Sequence, residues 1–277
     1  MKAIVTGGAG FIGSHIAEAL LAAGLQVIVI DDLSAGKAEN IPDGVEFLQR
    51  SVLDLNDCKH ALKGADVVFH NAASKKNICL TYPARDMEVN GIGTLNLLLA
   101  CKEAGVKKFI HASTGSVYGE VEGVIDENTP TNPVSYYGVS KLAGEKYVML
   151  FAKEMDVVVL RYFHVYGERQ EDDPNLGGVV AVFKRQIKDG KPLTIHGDGS
   201  QKRVFTHVED VVSANMLAFH HASRVGGNIY NCASSHQVSI MALAGKLIRD
   251  AKKPVTCLLY TSPSPRDRTR SRMPSSA

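Results

Sequence analysis

No apolar run in this 277-residue chain reaches the roughly 20 residues a membrane-spanning helix needs, and the chain opens on a predicted strand rather than a signal peptide. The five cysteines (58, 79, 101, 232 and 257) form no CxxC pair and have no histidine at metal-ligand spacing. That pattern argues against a bound metal and predicts reduced, mostly buried thiols of a cytoplasmic protein. There is no internal repeat, and no surplus of one charge: 31 basic against 29 acidic side chains, a net charge of +2. Nothing in that balance calls for nucleic acid or a membrane surface as a partner.

The last 21 residues stand apart. Cys257–Asp267 resembles a translated transposase adaptor from sequencing libraries, and Ser271–Ala277 matches the translated downstream adaptor. Residues 257–277 are therefore expected to be a non-native tail with no defined fold, replacing a natural C-terminus beyond Thr256. Without its four arginines and one aspartate, 27 basic and 28 acidic residues remain, a net charge of −1.

What the chain does have is rhythm. Apolar runs at 2–6, 26–30, 45–48, 66–70, 107–112 and 157–161 alternate with helical patterns at 11–23, 56–63, 83–104 and 135–154. Continuous apolar strands separated by helices imply an α/β fold, a doubly wound parallel sheet of Rossmann type covered on both faces. Gly24, Gly64 and Gly105 stand where helices should stop. After Tyr162 the pattern changes, with Pro/Gly-rich and charged stretches between helices near 179–189, 208–222 and 239–251. The expected organisation is a nucleotide-binding domain over 1–165, with some elements returning later, a smaller substrate lobe over 166–256, and the tail.

The stretch Thr6–Gly13 joins the first strand to the first helix and carries glycines at 7, 10 and 13. In such a turn the first glycine permits the bend. The second lets backbone approach a pyrophosphate, and the third lets helix and strand pack closely. The helix N-terminus then faces the phosphates with free N–H groups and positive dipole. About 20 residues on, a second apolar run ends in Asp31-Asp32, where an acidic group would meet the adenosine ribose. Asp31 favours NAD over NADP, because a carboxylate accepts from a free 2′-hydroxyl and repels a 2′-phosphate.

Tyr137 and Lys141 lie four apart early in a predicted helix and so share one face. A neighbouring ammonium favours the phenolate, and bringing a phenol from about 10 toward 7 takes roughly 4 kcal/mol.

With these blocks in place the sequence resembles an extended short-chain dehydrogenase/reductase of the NAD-dependent sugar-nucleotide epimerase/dehydratase group. Besides the glycine turn and the Tyr137/Lys141 pair, the matching blocks are Phe69–Ala73, Asn90 with Gly93-Thr94, Ser113–Gly119, Arg161-Tyr162-Phe163, Gly197–Arg203 and Asp210–Val212. The resemblance covers nearly all of 1–256. It implies that Phe11 and Ile12 lie at the pyrophosphate, and that Asp31, Asp32, Leu33, Ser34 and Gly36 surround the ribose. Ser51 and Val52 would approach the adenine, with Ala72, Ala73, Lys75 and Asn90 on the cofactor side and Phe163 near the nicotinamide. Thr114 falls beside the reacting hydroxyl; His164, Gly178, Val179 and Arg203 fall on the sugar diphosphate. His164 stands where the family usually has Asn. No metal is implied.

Family dehydratases carry Asp-Glu after the Thr as an acid/base pair; here Gly115-Ser116 follow Thr114. Without a carboxylate there is no evident acid for a departing hydroxyl. The expected reaction is 4-epimerisation of a UDP-hexose with NAD as bound cofactor. Tyr137 would act as base, Thr114 as its hydrogen-bonding partner on the sugar oxygen, and Lys141 as the cation that lowers the phenol pKa. Other oxidation-first nucleotide-sugar enzymes (a UDP-glucuronate decarboxylase, another epimerase or a dehydratase) and a non-catalytic NAD-binding regulator are the alternatives. The resemblance also implies a homodimer paired through the helices at 83–104 and 135–154.

Overall fold

The computed structural model describes residues 1–74, 81–173, 177–252 and 255–260. It divides into two compact units: Met1–Arg169 with Thr206–Ala233, and Gln170–Phe205 with the chain from Ser234 on.

The first unit is built on a seven-stranded sheet. Its strands are β1 (Lys2–Thr6), β2 (Gln26–Ile30), β3 (Glu46–Leu48), β4 (Val67–His70), β5 (Lys108–Thr114), β6 (Asp156–Tyr162) and β11 (Asn228–Cys232). The spatial order is β3-β2-β1-β4-β5-β6-β11, and every neighbouring pair is parallel. Strand order reverses at β1 and β4, the topological switch point where open α/β sheets hold ligands. Because both faces are covered, the central strands are apolar at almost every position. Ile4, Ile28, Val68 and Phe109 pack under the helices Leu55–Ala61, Thr94–Ala104 and Tyr136–Leu150. Val5, Val29, Phe69 and Leu160 pack under Phe11–Ala22 and Val208–Val225. Each such side chain contributes about 1.5–3 kcal/mol on burial. Gly24, Gly64 and Gly105 all have positive φ, the left-handed caps their positions suggested.

Three expectations are corrected. The run from Pro83 to Ala104 is helical throughout, but Glu88–Gly93 has π geometry between the α-helices Pro83–Met87 and Thr94–Ala104. Helix Val208–Val225 belongs to the sheet unit, not to a later lobe: Val211, Ala218 and Phe219 cover the same sheet face as Ile16 and Leu20. A later return to the sheet is expected from the sequence, but which elements make it is not, because the seventh strand, β11, is polar at Asn228 and Asn231.

The third correction concerns the tail. The second unit gathers helices Val179–Lys188 and Ile240–Ala251 with strands β8 (Leu193–His196), β9 (Lys202–Val204) and β12 (Gln237–Ser239) around Phe183, Leu193, Ile195 and Ile240. A further strand, β13 (Cys257–Tyr260), pairs in parallel with β8, and Cys257 packs on that core. These four residues are therefore ordered, against the expectation that nothing from 257 on has a fold. The open edge of β8 offers backbone N–H and C=O groups, and the extended apolar Cys-Leu-Leu-Tyr run satisfies them whatever its origin. The remainder of the tail lies outside the described residues. The sheet unit also holds a short parallel pair, β7 (Val165–Tyr166) with β10 (Thr206–His207).

Candidate active site

The glycine turn closes tightly over the ends of β1 and β4. Gly7 has φ +70°, and a Cβ there would lie 2.7 Å from the Ala72 nitrogen; a Cβ on Gly13 would lie 2.2 Å from the Gly7 carbonyl oxygen. Neither position accepts a side chain. Gly10 caps the Phe11–Ala22 helix with no side-chain acceptor, leaving first-turn N–H groups of Phe11 and Ile12 open to an anion.

Asp31, at the end of β2, is buried and joins two turns. Its Oδ2 accepts from Ala9 N–H at 3.0 Å and its Oδ1 from Leu33 N–H at 2.9 Å. Burial raises its carboxyl above the usual range, against the two backbone hydrogen bonds that lower it. Each oxygen keeps a lone pair for a further donor such as a ribose hydroxyl. Asp32 accepts from Ser34 N–H, and a Cβ on Gly36 would meet Ala9 Cβ at 2.7 Å, so this turn packs against the glycine turn.

Behind the turn runs a buried chain of hydrogen bonds. Ala72 N–H donates to Thr6 Oγ1 (3.3 Å), which lies 2.7 Å from His70 Nδ1; His70 Nε2 lies 2.9 Å from Thr94 Oγ1. Thr94 donates its own proton to the Asn90 carbonyl at 2.7 Å, so it accepts from His70 Nε2–H, and Nδ1 is the acceptor from Thr6. Burial, then the nearby Lys141 charge, lower the imidazole to about 3 and keep it neutral. His70 thereby ties the nucleotide turn to the helical run 83–104.

Thr114 is the last residue of β5, and its Oγ1 accepts from Ser116 N–H at 3.2 Å. The next turn, Gly115–Val117, is pressed from both sides. A Cβ on Gly115 would lie 2.6 Å from the Phe163 ring, and one on Gly138 would lie 2.7 Å from Ser116 O. Gly138 belongs to the first turn of the Tyr136–Leu150 helix, capped by Ser135 Oγ accepting from Gly138 N–H at 3.1 Å. Those close approaches set the first turn of this helix, which carries half-buried Tyr137, against the Gly115–Val117 turn. Lys141, one turn further in, is 2% exposed. Burial lowers its ammonium to about 8, against the opposing fields of Glu145 and Asp86.

Sequence reasoning missed the buried support around this helix. Glu145, four residues after Lys141, binds Arg161 through both carboxylate oxygens (2.9 and 2.7 Å) and accepts from Ser113 Oγ–H. The Arg161 guanidinium lies 4.6 Å from the Tyr118 ring centroid, and Tyr118 in turn stacks on Phe163. On the other side, Ser140 Oγ–H donates to Asp86 Oδ2 at 2.7 Å, while Asn90 Nδ2 donates to Asp86 Oδ1 and Ser140 Oγ. The signal was the spacing of four between Lys141 and Glu145 and between Asp86 and Asn90, which sets polar residues on one helical face.

The other expected residues fall in several places. Asn90 is fully buried, with its amide bonded to Ser74 N–H, Asp86 and Ser140. Val52 is buried against Gly93; Ser51 Oγ accepts from Leu53 N–H; Ala72 and Ala73 follow β4 at the switch point. Lys75 lies outside the described residues. His164 has φ +38°, a conformation that Asn and His tolerate better than most side chains, so a backbone demand accounts for the residue type there. Gly178, Val179 and Arg203 lie in the second unit. Gly178 caps helix Val179–Lys188 without a side-chain acceptor, and Arg203 on β9 donates to Lys202 O at 2.8 Å.

A glycine turn with an uncapped helix end, a buried carboxylate at the end of the second strand, and a phenol and an ammonium on one helix all belong to the unit built on the parallel sheet, and together they mark a Rossmann-type α/β protein. The chain belongs to the NAD dependent epimerase/dehydratase family, whose model matches residues 3–233. A UDP-glucose 4-epimerase of Mycolicibacterium smegmatis is 37% identical over 257 residues, covering 88% of this chain and 80% of the relative. The UDP-glucose 4-epimerase structure of Thermotoga maritima with UDP-glucose has a TM-score of 0.90 at 36% identity, over 96% of this chain and 87% of that one. The Thermus thermophilus UDP-glucose 4-epimerase in complex with NAD has a TM-score of 0.86 at 35% identity, over 100% of this chain and 95% of that one.

Proposed function

We propose that the protein is a UDP-hexose 4-epimerase that interconverts UDP-glucose and UDP-galactose with a retained NAD. The observation that carries this reading is the Tyr137–Lys141 helix seated by Gly138 against the Thr114 turn. NAD fits the nucleotide side: Gly7 and Gly13 leave no room for side chains, the Phe11 helix end is uncapped, and the Asp31 oxygens have acceptor capacity left. The chemistry that NAD would supply when bound is acceptance of a hydride from sugar carbon 4 and its return. Tyr137, as phenolate, removes the 4-hydroxyl proton and later restores it. Thr114 hydrogen-bonds the same oxygen, and Lys141 holds the phenolate form electrostatically. In the second unit, Arg203 and the Gly178–Val179 helix end carry the chemistry for binding a diphosphate, a planar guanidinium fork being suited to phosphate oxygens.

No dehydration is assigned, because Gly115-Ser116 supply no carboxylate and Phe163 fills the space beside Gly115. The test is to incubate purified protein with UDP-galactose and follow products by NMR. UDP-glucose without net reduced cofactor is the expected result; a 4-keto-6-deoxy sugar from UDP-galactose, or carbon dioxide released from UDP-glucuronate in a parallel incubation, would replace the reading with a dehydratase or a decarboxylase.

The same reading includes a homodimer. Tyr82 just before the 83–104 run, Met87 and Leu99 on it, and Tyr136, Val139 and Leu150 on the packed Tyr136–Leu150 helix are large apolar side chains left exposed. A second copy would cover them. Light scattering should give twice the chain mass, and a monomer would refute it. Among the described residues no helix is long and apolar enough to cross a membrane. A cytoplasmic location is part of the proposal, supported by the free cysteines 58, 101, 232 and 257.

A further inference from the structure

Four ionisable side chains are buried around the Tyr136–Leu150 helix: Lys141, Glu145, Arg161 and Asp86. Their charges balance, two positive and two negative, but the pairing is uneven. Arg161 binds Glu145 with a bidentate fork and neutralises it at short range. Asp86 accepts only from the neutral donors Asn90 and Ser140 and has no cation within ion-pair distance among the described residues. Lys141 likewise makes no ion pair among them. The other titratable groups facing this space are His70 on β4 and His111 on β5, both fully buried and held neutral by desolvation and by the Lys141 charge. Both carboxylates bear on Lys141, Glu145 more strongly than Asp86, but the Glu145 field is opposed by the adjoining guanidinium. Among the described residues, Asp86 is the carboxylate of the cluster that no guanidinium or ammonium pairs at short range.

We propose that Asp86 is the counter-charge of Lys141, held on the neighbouring helical run to keep the buried lysine cationic, and hence a positioning residue for the Tyr137 chemistry. The link is mechanical as well as electrostatic. Ser140, between Tyr137 and Lys141 in sequence, donates to Asp86 at 2.7 Å, and Asn90 bridges Asp86 and Ser140 across the junction with the π-helical segment. A buried carboxylate is costly unless an opposite charge stands nearby, and the buried Lys141 ammonium, next in sequence to Ser140, supplies one. The proposal rests on the assignment of Tyr137 and Lys141 given above, but its primary readout is independent of turnover.

The experiment follows the side-chain signal of Lys141 by NMR against pH in the full chain labelled at lysine, the signal being identified by its loss in Lys141→Met. In Asp86→Asn the Lys141 midpoint should fall by roughly one to three pH units, the usual effect of one close opposite charge. In Ser140→Ala, which removes the hydrogen bond and keeps the charge, it should move much less. The alkaline limb of kcat/KM should fall in parallel with the midpoint in Asp86→Asn. An unchanged midpoint in Asp86→Asn would overturn the proposal. If that variant does not fold, Asp86→Asn combined with Lys141→Met, which removes both charges, should restore folding, and failure to do so would equally overturn it. A shifted midpoint in a protein that converts no UDP-sugar would instead retain the pairing and discard the epimerase reading.

Discussion

Gly115 and Phe163 divide one small volume between them: a Cβ on Gly115 would lie 2.6, 2.7 and 2.9 Å from three ring carbons of Phe163. The ring is itself fixed by stacking on Tyr118, with centroids 6.1 Å apart. The missing carboxylate after Thr114 is therefore a matter of space as well as chemistry. Gly115→Asp should lower stability by about 1–3 kcal/mol, the range for forcing atoms into a packed site. It should not create dehydratase activity. Chemical denaturation of Gly115→Asp alone and with Phe163→Ala checks this, since the second change should recover part of the loss; equal instability in both would show that the ring is not the obstacle.

Tyr137→Phe should reduce epimerase turnover by roughly two to four orders of magnitude, the scale of general acid–base catalysis. Retained NAD, measured by release from the denatured protein, should be unchanged, because the glycine turn is untouched. Thr114→Ala should lose less, since one hydrogen bond goes while the base remains. Near-full activity in Tyr137→Phe would remove the phenol from the mechanism.

The Lys141 ammonium sits at about 8 in the folded protein, below its ordinary 10.5. Between those values the unfolded chain binds more protons than the folded one, so raising the pH stabilises the fold across that window. Below about 8 both states hold the proton and the penalty is constant. Relative to Lys141→Met, wild-type stability should rise by up to ~3 kcal/mol between pH 8 and 10.5. Urea denaturation of both proteins at several pH values measures the difference, and a flat difference would contradict the lowered value.

Asp31 accepts from Ala9 and Leu33 N–H, and the proposed function also gives it the ribose side of the dinucleotide. NAD should bind more tightly than NADP in direct titration, and the reverse order would refute the assignment. Asp31→Ala should also destabilise the protein before any cofactor is added, by about 1–3 kcal/mol, since a buried N–H loses its acceptor. Thermal unfolding of the dinucleotide-free variant separates this loss from the binding defect.

Much of this protein is readable from its sequence because its signals are local. Continuous apolar runs mark β1, β2, β4, β5 and β6, and glycines at 24, 64 and 105 mark helix ends by the left-handed backbone they permit. The glycine turn, Asp31, and the four-residue step from Tyr137 to Lys141 are likewise short-range patterns. Tertiary structure decided what depends on residues distant in the chain. Strand β11 and helix Val208–Val225 return to the first sheet because β6 has an open edge and the sheet an uncovered apolar face, neither of which local composition records. Residues 257–260 are ordered for a similar reason, an available edge on β8. Glu145 finds Arg161 across 16 residues and Asp86 meets Ser140 across 54, so the charge balance around Lys141 exists only once β5, β6 and two helices have packed. The residue types at the site are set by chemistry along the chain; their protonation states are set by the dry, long-range neighbourhood that folding builds around them.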